Sequence, residues 1–98
     1  MDEAMAQVII DLSNRPFLAY RVLLKKSQTG NFDASLIQEF FRALVNEAGI
    51  TMHADLVSGE NTHHIAECLF KAFGRAVDQA TRIDARLDGS VPSTKGLL

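Results

Sequence analysis

The spacing of apolar residues changes several times along this 98-residue chain, and these changes strongly constrain its fold. Residues 6–13 and 50–57 alternate apolar and polar side chains, and residues 17–24 are apolar on both faces, which is typical of β-strands. Two longer stretches repeat apolar residues every three or four positions, which is typical of amphipathic α-helices. The order β-β-α-β-α predicts an α+β domain in which a small sheet carries two helices on one face.

The first two predicted strands are separated only by a turn at residues 13–16, so we expect them to pair as an antiparallel hairpin. The second strand has apolar residues on alternate faces, which predicts that it is covered on both sides. The polar, glycine-containing residues 25–31 are predicted to form a loop.

The helices have recognisable ends. Asp33 or Ser35 can cap the first helix, whose apolar pattern covers residues 36–48, and Gly49 follows where a left-handed glycine commonly ends a helix. Asn61 or Thr62 can cap the second helix, which we predict to continue to about residue 84. Residues 84–90 are then predicted to form a loop, and residues 91–98 a short tail.

Composition narrows the classes of function. A chain of 98 residues that is 47% apolar fits a single domain, and its formal charge of −2 gives no general attraction to nucleic acid or anionic lipid. No apolar run approaches the roughly 18 residues of a membrane span. A single cysteine forms no internal disulfide, and the opening residues lack a basic leader. We therefore expect a cytoplasmic protein without a nucleic-acid or membrane partner.

All three histidines fall within twelve residues of one another, and two of them begin the second helix. His63 and Glu67 are four residues apart on one helical face, so both can approach one cation, and Lys71 continues that face. His64 lies about 100° around the helix from His63, so adjacent histidines suggest two metals or two sites. The alternative to metal binding is that these residues form an ordinary solvated face of the helix. The predicted core stripe lies elsewhere on the helix: Ile65, Leu69, Phe70, Phe73, Ala76, Val77, Ala80 and Ile83.

His53 lies on the polar face of its strand, away from the predicted core. If it shares the chemistry of the helix histidines, we expect it to reach them across a subunit boundary; otherwise it is an exposed strand histidine. Cys68 fits a small apolar residue better than a thiolate ligand. Lys71 either solvates the helix or anchors an anion.

The tail offers two hydroxyls, a cation and a glycine in the sequence Ser93-Thr94-Lys95-Gly96. These are ingredients of a phosphate-binding loop, although a polar tail without a ligand has the same composition.

The string GENTHHIAECLFKA at residues 59–72 closely resembles the second metal motif of the imidazoleglycerol-phosphate dehydratase family. The resemblance extends over residues 1–98, which we interpret as a single domain similar to the C-terminal half of that enzyme. Asn14 stands where the family's turn usually has glycine, and Met52 stands where leucine is usual. Further matching segments are Asp2-Glu3-Ala4, Asp11-Leu12-Ser13, Arg15-Pro16, Glu39-Phe40-Phe41, Met52-His53, Arg75-Ala76 and Pro92-Ser93-Thr94-Lys95-Gly96.

The resemblance implies a fold like domain 2 of ribosomal protein S5 and a hydro-lyase of histidine biosynthesis, which converts imidazoleglycerol phosphate to imidazoleacetol phosphate. It implies two Mn²⁺ ions per site and a large homo-oligomer whose sites lie between subunits. By position, the metal ligands are His53, His63, His64 and Glu67, with Glu67 also in a catalytic role. The implied phosphate-binding residues are Lys71, Ser93, Thr94 and Lys95.

The chain resembles only one half of a family whose members consist of two similar halves. The first half carries its own histidines and glutamate, the substrate-binding arginines and the acidic residue expected to move protons. Three hypotheses remain open. The chain is the C-terminal half of a dehydratase, or a self-assembling metal-binding half with weak or no lyase activity, or a metal-binding scaffold without catalysis.

Overall fold

The computed structural model describes residues 1–82 and confirms the predicted β-β-α-β-α order. An additional small hairpin, β3 with β4, lies within and just after the segment predicted to be a loop. The predicted loop and tail at residues 84–98 lie outside the described residues. The elements are β1 (Met5–Asp11), β2 (Phe17–Arg21), β3 (Gln28–Thr29), β4 (Phe32–Asp33), α1 (Leu36–Ala48), β5 (Thr51–Ser58) and α2 (Thr62–Thr81).

The main sheet is mixed, with β5 in its centre. β1 pairs antiparallel with one edge of β5, and β2 pairs parallel with the other, so the predicted hairpin of the first two strands is wrong. The turn between these strands is attached to the start of β5: the hydroxyl oxygens of Ser13 and Thr51 are 2.7 Å apart, and Phe17 donates its N–H to Ile50 at 3.1 Å. The chain therefore passes the start of β5 before β2 begins. Parallel strands need a crossover, which α1 supplies.

The core lies between one face of the sheet and the two helices. Phe41 of α1 is completely buried, and its ring lies 5.2 Å from the Phe73 ring of α2 and 6.4 Å from the Tyr20 ring of β2. One side chain thus joins three elements, and burying it contributes about 1.5–3 kcal/mol. The largest fully buried side chains are Phe41, Ile37, Met52, Leu69 and Val45.

The opposite face of the sheet has no helical layer over it within residues 1–82. Ile9 and Phe17 are 53% and 55% exposed, and Leu23 just beyond β2 is 90% exposed. The prediction that the second strand is covered on both sides is therefore wrong for this chain, because both helices pack on the same face. The strand is also shorter than predicted, ending at Arg21.

The end of α1 and the start of α2 follow the predicted chemistry, whereas Ser35, the N-cap residue of α1, makes no capping hydrogen bond through its side chain. Gly49 adopts the left-handed conformation (φ 67°, ψ 40°), and the Asn61 side chain accepts the backbone N–H of His64. At α1, Asp33 accepts the backbone N–H of Ser35 at 3.0 Å. Helix α2 ends at Thr81 rather than near residue 84.

Of the helices described, none is long and apolar enough to cross a membrane.

Candidate metal and substrate-binding site

One face of α2 lines a cavity of about 530 Å³. His63, Glu67 and Lys71 follow one another at four-residue intervals along this face, so successive helical turns bring an imidazole, a carboxylate and an ammonium group to one wall. The other lining residues are Thr29, Phe32, Ala66 and Phe70. The predicted grouping of His63, Glu67 and Lys71 is thus confirmed, and the β3–β4 hairpin forms the facing wall.

Glu67 carries the clearest sign of a missing partner. Its Oε2 atom is buried and has no hydrogen-bond partner. An unsatisfied buried oxygen is costly, and for an ionised carboxylate a bound cation is one of the few groups that removes this cost. The donor chemistry at this wall, one imidazole and one carboxylate, therefore fits a divalent metal such as Mn²⁺.

His64 faces a different part of the molecule. Its ring centroid is 6.3 Å from that of His63, and its Nδ1 lies 2.6 Å from Oε1 of Glu3. Glu3 also accepts the backbone N–H groups of Asn61 and Glu60, and with the His64 contact these bonds lower the pKa of Glu3 from 4.5 to about 2. The prediction that adjacent histidines point along different directions is confirmed.

His53 lies on the exposed face of the sheet, as its place in the alternating pattern predicts. Its ring is 5.9 Å from the Phe17 ring, and its Nδ1 is 3.1 Å from Nη2 of Arg21. Arg21 also forms a two-point ion pair with Asp55, which lowers the pKa of Asp55 and raises that of Arg21. Helix α2 packs against the other face of the sheet, so His53 does not meet His63 or His64 within one chain.

The metal-ligand candidates therefore occupy three separate places. Nowhere in residues 1–82 do three His, Cys, Asp or Glu side chains converge on one point. Cys68 is buried and contacts the carbonyl of Ala4 at 3.5 Å, in keeping with a small core residue. The phosphate-binding candidates Ser93, Thr94 and Lys95 lie outside the described residues.

Several residues of the site region were not found from the sequence. Thr29 and Phe32 belong to a hairpin whose first strand lies in the segment predicted to be a loop, and Phe70 was assigned to the core although it is 40% exposed at the cavity. Gly30-Asn31, a dipeptide typical of two-residue hairpin connections, was the available signal for the hairpin. Glu3 gave no local signal, since its partner His64 is 61 residues away.

Comparison with known proteins identifies the family. A model of the family described as imidazoleglycerol-phosphate dehydratase matches residues 1–77. The chain belongs to this family. Imidazoleglycerol-phosphate dehydratases of Halorhodospira halophila and Geobacter sulfurreducens are 52% and 53% identical to it over 98 residues. In each case the alignment covers 100% of this chain and 50% of the relative, so the chain spans about half the length of these dehydratases.

Solved dehydratase structures share the fold. The imidazoleglycerol-phosphate dehydratase of Staphylococcus aureus is 48% identical, with a TM-score of 0.83 over 86% of this chain and 49% of that one. The Pyrococcus furiosus enzyme, in complex with (S)-C348, is 41% identical, with a TM-score of 0.85 over 100% of this chain and 53% of that one. Each solved dehydratase is therefore matched over about half of its length.

Proposed function

We propose that this chain supplies the C-terminal half of a cytoplasmic, metal-dependent imidazoleglycerol-phosphate dehydratase. The reaction removes one water molecule from imidazoleglycerol phosphate and gives imidazoleacetol phosphate. The observation that carries the proposal is the wall of α2, where the unpartnered Oε2 of Glu67 stands between His63 and Lys71 in a chain of this family.

The side chains of this wall have separate proposed roles. His63 and Glu67 would hold a Mn²⁺ ion, and Glu67 is the residue to which we assign a catalytic role. Lys71 attracts the phosphate of the substrate, since a flexible ammonium group suits a mobile anion. Ser93, Thr94 and Lys95, which lie outside the described residues, are the further phosphate-binding residues that the resemblance to the family implies. When bound, the metal supplies Lewis-acid stabilisation of negative charge on the substrate.

His64 and His53 lie away from this wall. We assign His64 to a second metal ion and His53 to a site shared with another subunit. His64 points away from His63, in support of a second ion of the expected pair. His53 lies on the opposite face of the sheet, among exposed apolar residues such as Ile9 and Phe17. We therefore propose that this face meets another subunit and that the complete site forms between chains of a large homo-oligomer.

The test compares wild type with Glu67→Gln and with Glu47→Gln, a control that neutralises an exposed carboxylate of α1. Bound Mn²⁺ is measured by elemental analysis after dialysis, and the fold by circular dichroism. Glu67→Gln should lose metal and keep its fold, because an amide is a weaker ligand than a carboxylate, whereas Glu47→Gln should keep both. Full metal occupancy in Glu67→Gln would exclude Glu67 as a ligand.

A second candidate function is a self-assembling metal-binding half with weak or no lyase activity. The separation of the ligand candidates within one chain favours it, since copies of the same chain can bring His53 to the helix histidines. A dehydration assay with added Mn²⁺ separates a catalytic chain from a metal-binding scaffold, and solution mass measured together with metal content separates a dispersed half from a self-assembled one. Turnover by the 98-residue chain alone supports a catalytic assembly, whereas stoichiometric metal without turnover supports the binding scaffold.

A further inference from the structure

Glu3 connects the segment before β1 to the start of α2. Its Oε2 accepts the backbone N–H groups of Glu60 and Asn61 at 3.0 and 2.9 Å, and its Oε1 lies 2.6 Å from Nδ1 of His64. Two bonds to backbone atoms fix the carboxylate, so the direction of its free oxygen is determined by the fold. That oxygen points at the imidazole ring.

The contact determines which ring nitrogen carries the proton in neutral His64. An ionised carboxylate can only accept hydrogen bonds, so at 2.6 Å from it Nδ1 must be the donor. Nε2 then keeps its lone pair, which is the form that a metal requires. The backbone N–H of His64 is also held, by the Asn61 side chain at 3.1 Å, so the residue is fixed at both ends.

We propose that Glu3 is the positioning residue of His64: it holds the ring in the Nδ1–H tautomer and so presents Nε2 as the metal-binding nitrogen. This rests on the proposed function, since it assumes that His64 is a ligand. Asp2 is the other carboxylate near the ring, with Oδ2 3.7 Å from Nε2 and a side chain that is 72% exposed. This distance is too long for a hydrogen bond, so Asp2 does not place a proton on Nε2.

The decisive variant is Glu3→Gln. The two backbone N–H groups require an acceptor, so the amide oxygen should take the place of Oε2 and leave the NH₂ group facing Nδ1. A donor at this position favours the opposite tautomer, with the proton on Nε2. Asp2→Asn is the matched control, because it removes the same charge beside the other nitrogen of the same ring.

The tautomer is measured without metal, from long-range ¹H–¹⁵N correlations of ¹⁵N-histidine-labelled protein at a pH where imidazole is neutral. His64 of wild type and of Asp2→Asn should show a protonated Nδ1, and Glu3→Gln a protonated Nε2. An unchanged tautomer in Glu3→Gln would overturn the proposal.

The consequence for metal binding is measured with Mn²⁺ alone, by electron paramagnetic resonance titration. Loss of a partner that orients a ligand typically weakens metal affinity by about 10–100-fold, and we expect a loss in this range for Glu3→Gln but not for Asp2→Asn. Asn61→Ala weakens the start of α2 and leaves the partner of Nδ1 in place, so it separates positioning from general loosening of the helix.

Two results contradict the proposal at this stage. An equal loss of affinity in Asn61→Ala would assign Glu3 a purely structural role, and unchanged affinity in Glu3→Gln despite a switched tautomer would show that Nε2 is not the ligand. A wild-type chain that binds no Mn²⁺ would contradict metal binding by this half and with it the ligand role of His64, whereas the metal-free spectra report separately whether Glu3 sets the tautomer.

Discussion

Leu69 and Leu23 are the same residue type in opposite environments. Leu69 is fully buried between α2 and the sheet, whereas Leu23 is 90% exposed. Leu69→Ala removes packed atoms and leaves a cavity, so it should lower the free energy of unfolding by about 2–5 kcal/mol. Leu23→Ala should change it by less than about 0.5 kcal/mol. Urea unfolding followed by circular dichroism measures both changes in the free energy of unfolding. An equal loss of stability in the two variants would contradict the burial of Leu69.

Asp33 gives a pH-dependent prediction at the start of α1. It accepts the backbone N–H of Ser35 at 3.0 Å, which lowers its pKa below the ordinary value of 3.8. A carboxyl whose pKa is lower in the folded state stabilises that state above pH 3.8, and this contribution is lost as the pH falls through the lowered pKa.

Carboxyl ¹³C chemical shifts measured between about pH 2 and pH 6 should therefore give a pKa for Asp33 below 3.8. Ser35→Pro removes the backbone donor at a helix start that tolerates proline, so it should return the pKa towards the ordinary value. A normal pKa for Asp33 in the wild-type chain would contradict the hydrogen bond to Ser35.

At the scale of the elements, local patterns predicted which segments form strands and helices but not how the strands pair. Alternation specified the inward and outward faces of β1 and β5, Gly49 specified the end of α1, and Asn61 specified the start of α2. The hairpin prediction failed because pairing was decided by contacts with the distant segment at Ile50 and Thr51. No periodicity within residues 6–24 records those contacts. Asn14 shows that local residue chemistry also contributes: at φ 56° it occupies the left-handed region, where asparagine is enriched among non-glycine residues.

Gly59 and Gly74 should respond in opposite ways to replacement by alanine. Gly59, between β5 and α2, has a φ of 155°, and an added Cβ would lie 2.9 Å from Cγ1 of Ile65. Gly74, within α2, has no heavy atom within 4 Å of an added Cβ. Gly59→Ala should destabilise the fold, and Gly74→Ala should stabilise it by about 0.5–1 kcal/mol through helix propensity.

Thermal unfolding of the two variants and of wild type provides the measurement. The expected result is a lower midpoint for Gly59→Ala and a higher one for Gly74→Ala. If both midpoints shifted in the same direction, the space beside Ile65 would not limit the residue at position 59 to glycine.

For the whole molecule, the sequence predicted the parts of the site that one helix can display. Helical spacing is enough to place His63, Glu67 and Lys71 together and to separate His64 from them. Phe32 reaches the cavity, and Glu3 reaches the start of α2, only when distant segments of the chain fold together. Helical spacing could not predict either contact. The place of His53 follows from alternation, but its contacts with Arg21 and Phe17 depend on how β2 pairs with β5.

Under the proposed function, assembly decides whether this half can form a complete site. Ile9 is 53% exposed on the sheet face that carries His53 and is paired with His53 across the strands β1 and β5. If this face joins subunits, Ile9→Lys places an ammonium group in an apolar contact and should shift the protein to a smaller assembly, because desolvating an unpaired charge is costly. Asn46→Lys adds the same side chain to an exposed position of α1 and should leave the mass unchanged. Light scattering after size-exclusion chromatography measures the mass, and an identical oligomer for wild type and Ile9→Lys would place the subunit contact elsewhere.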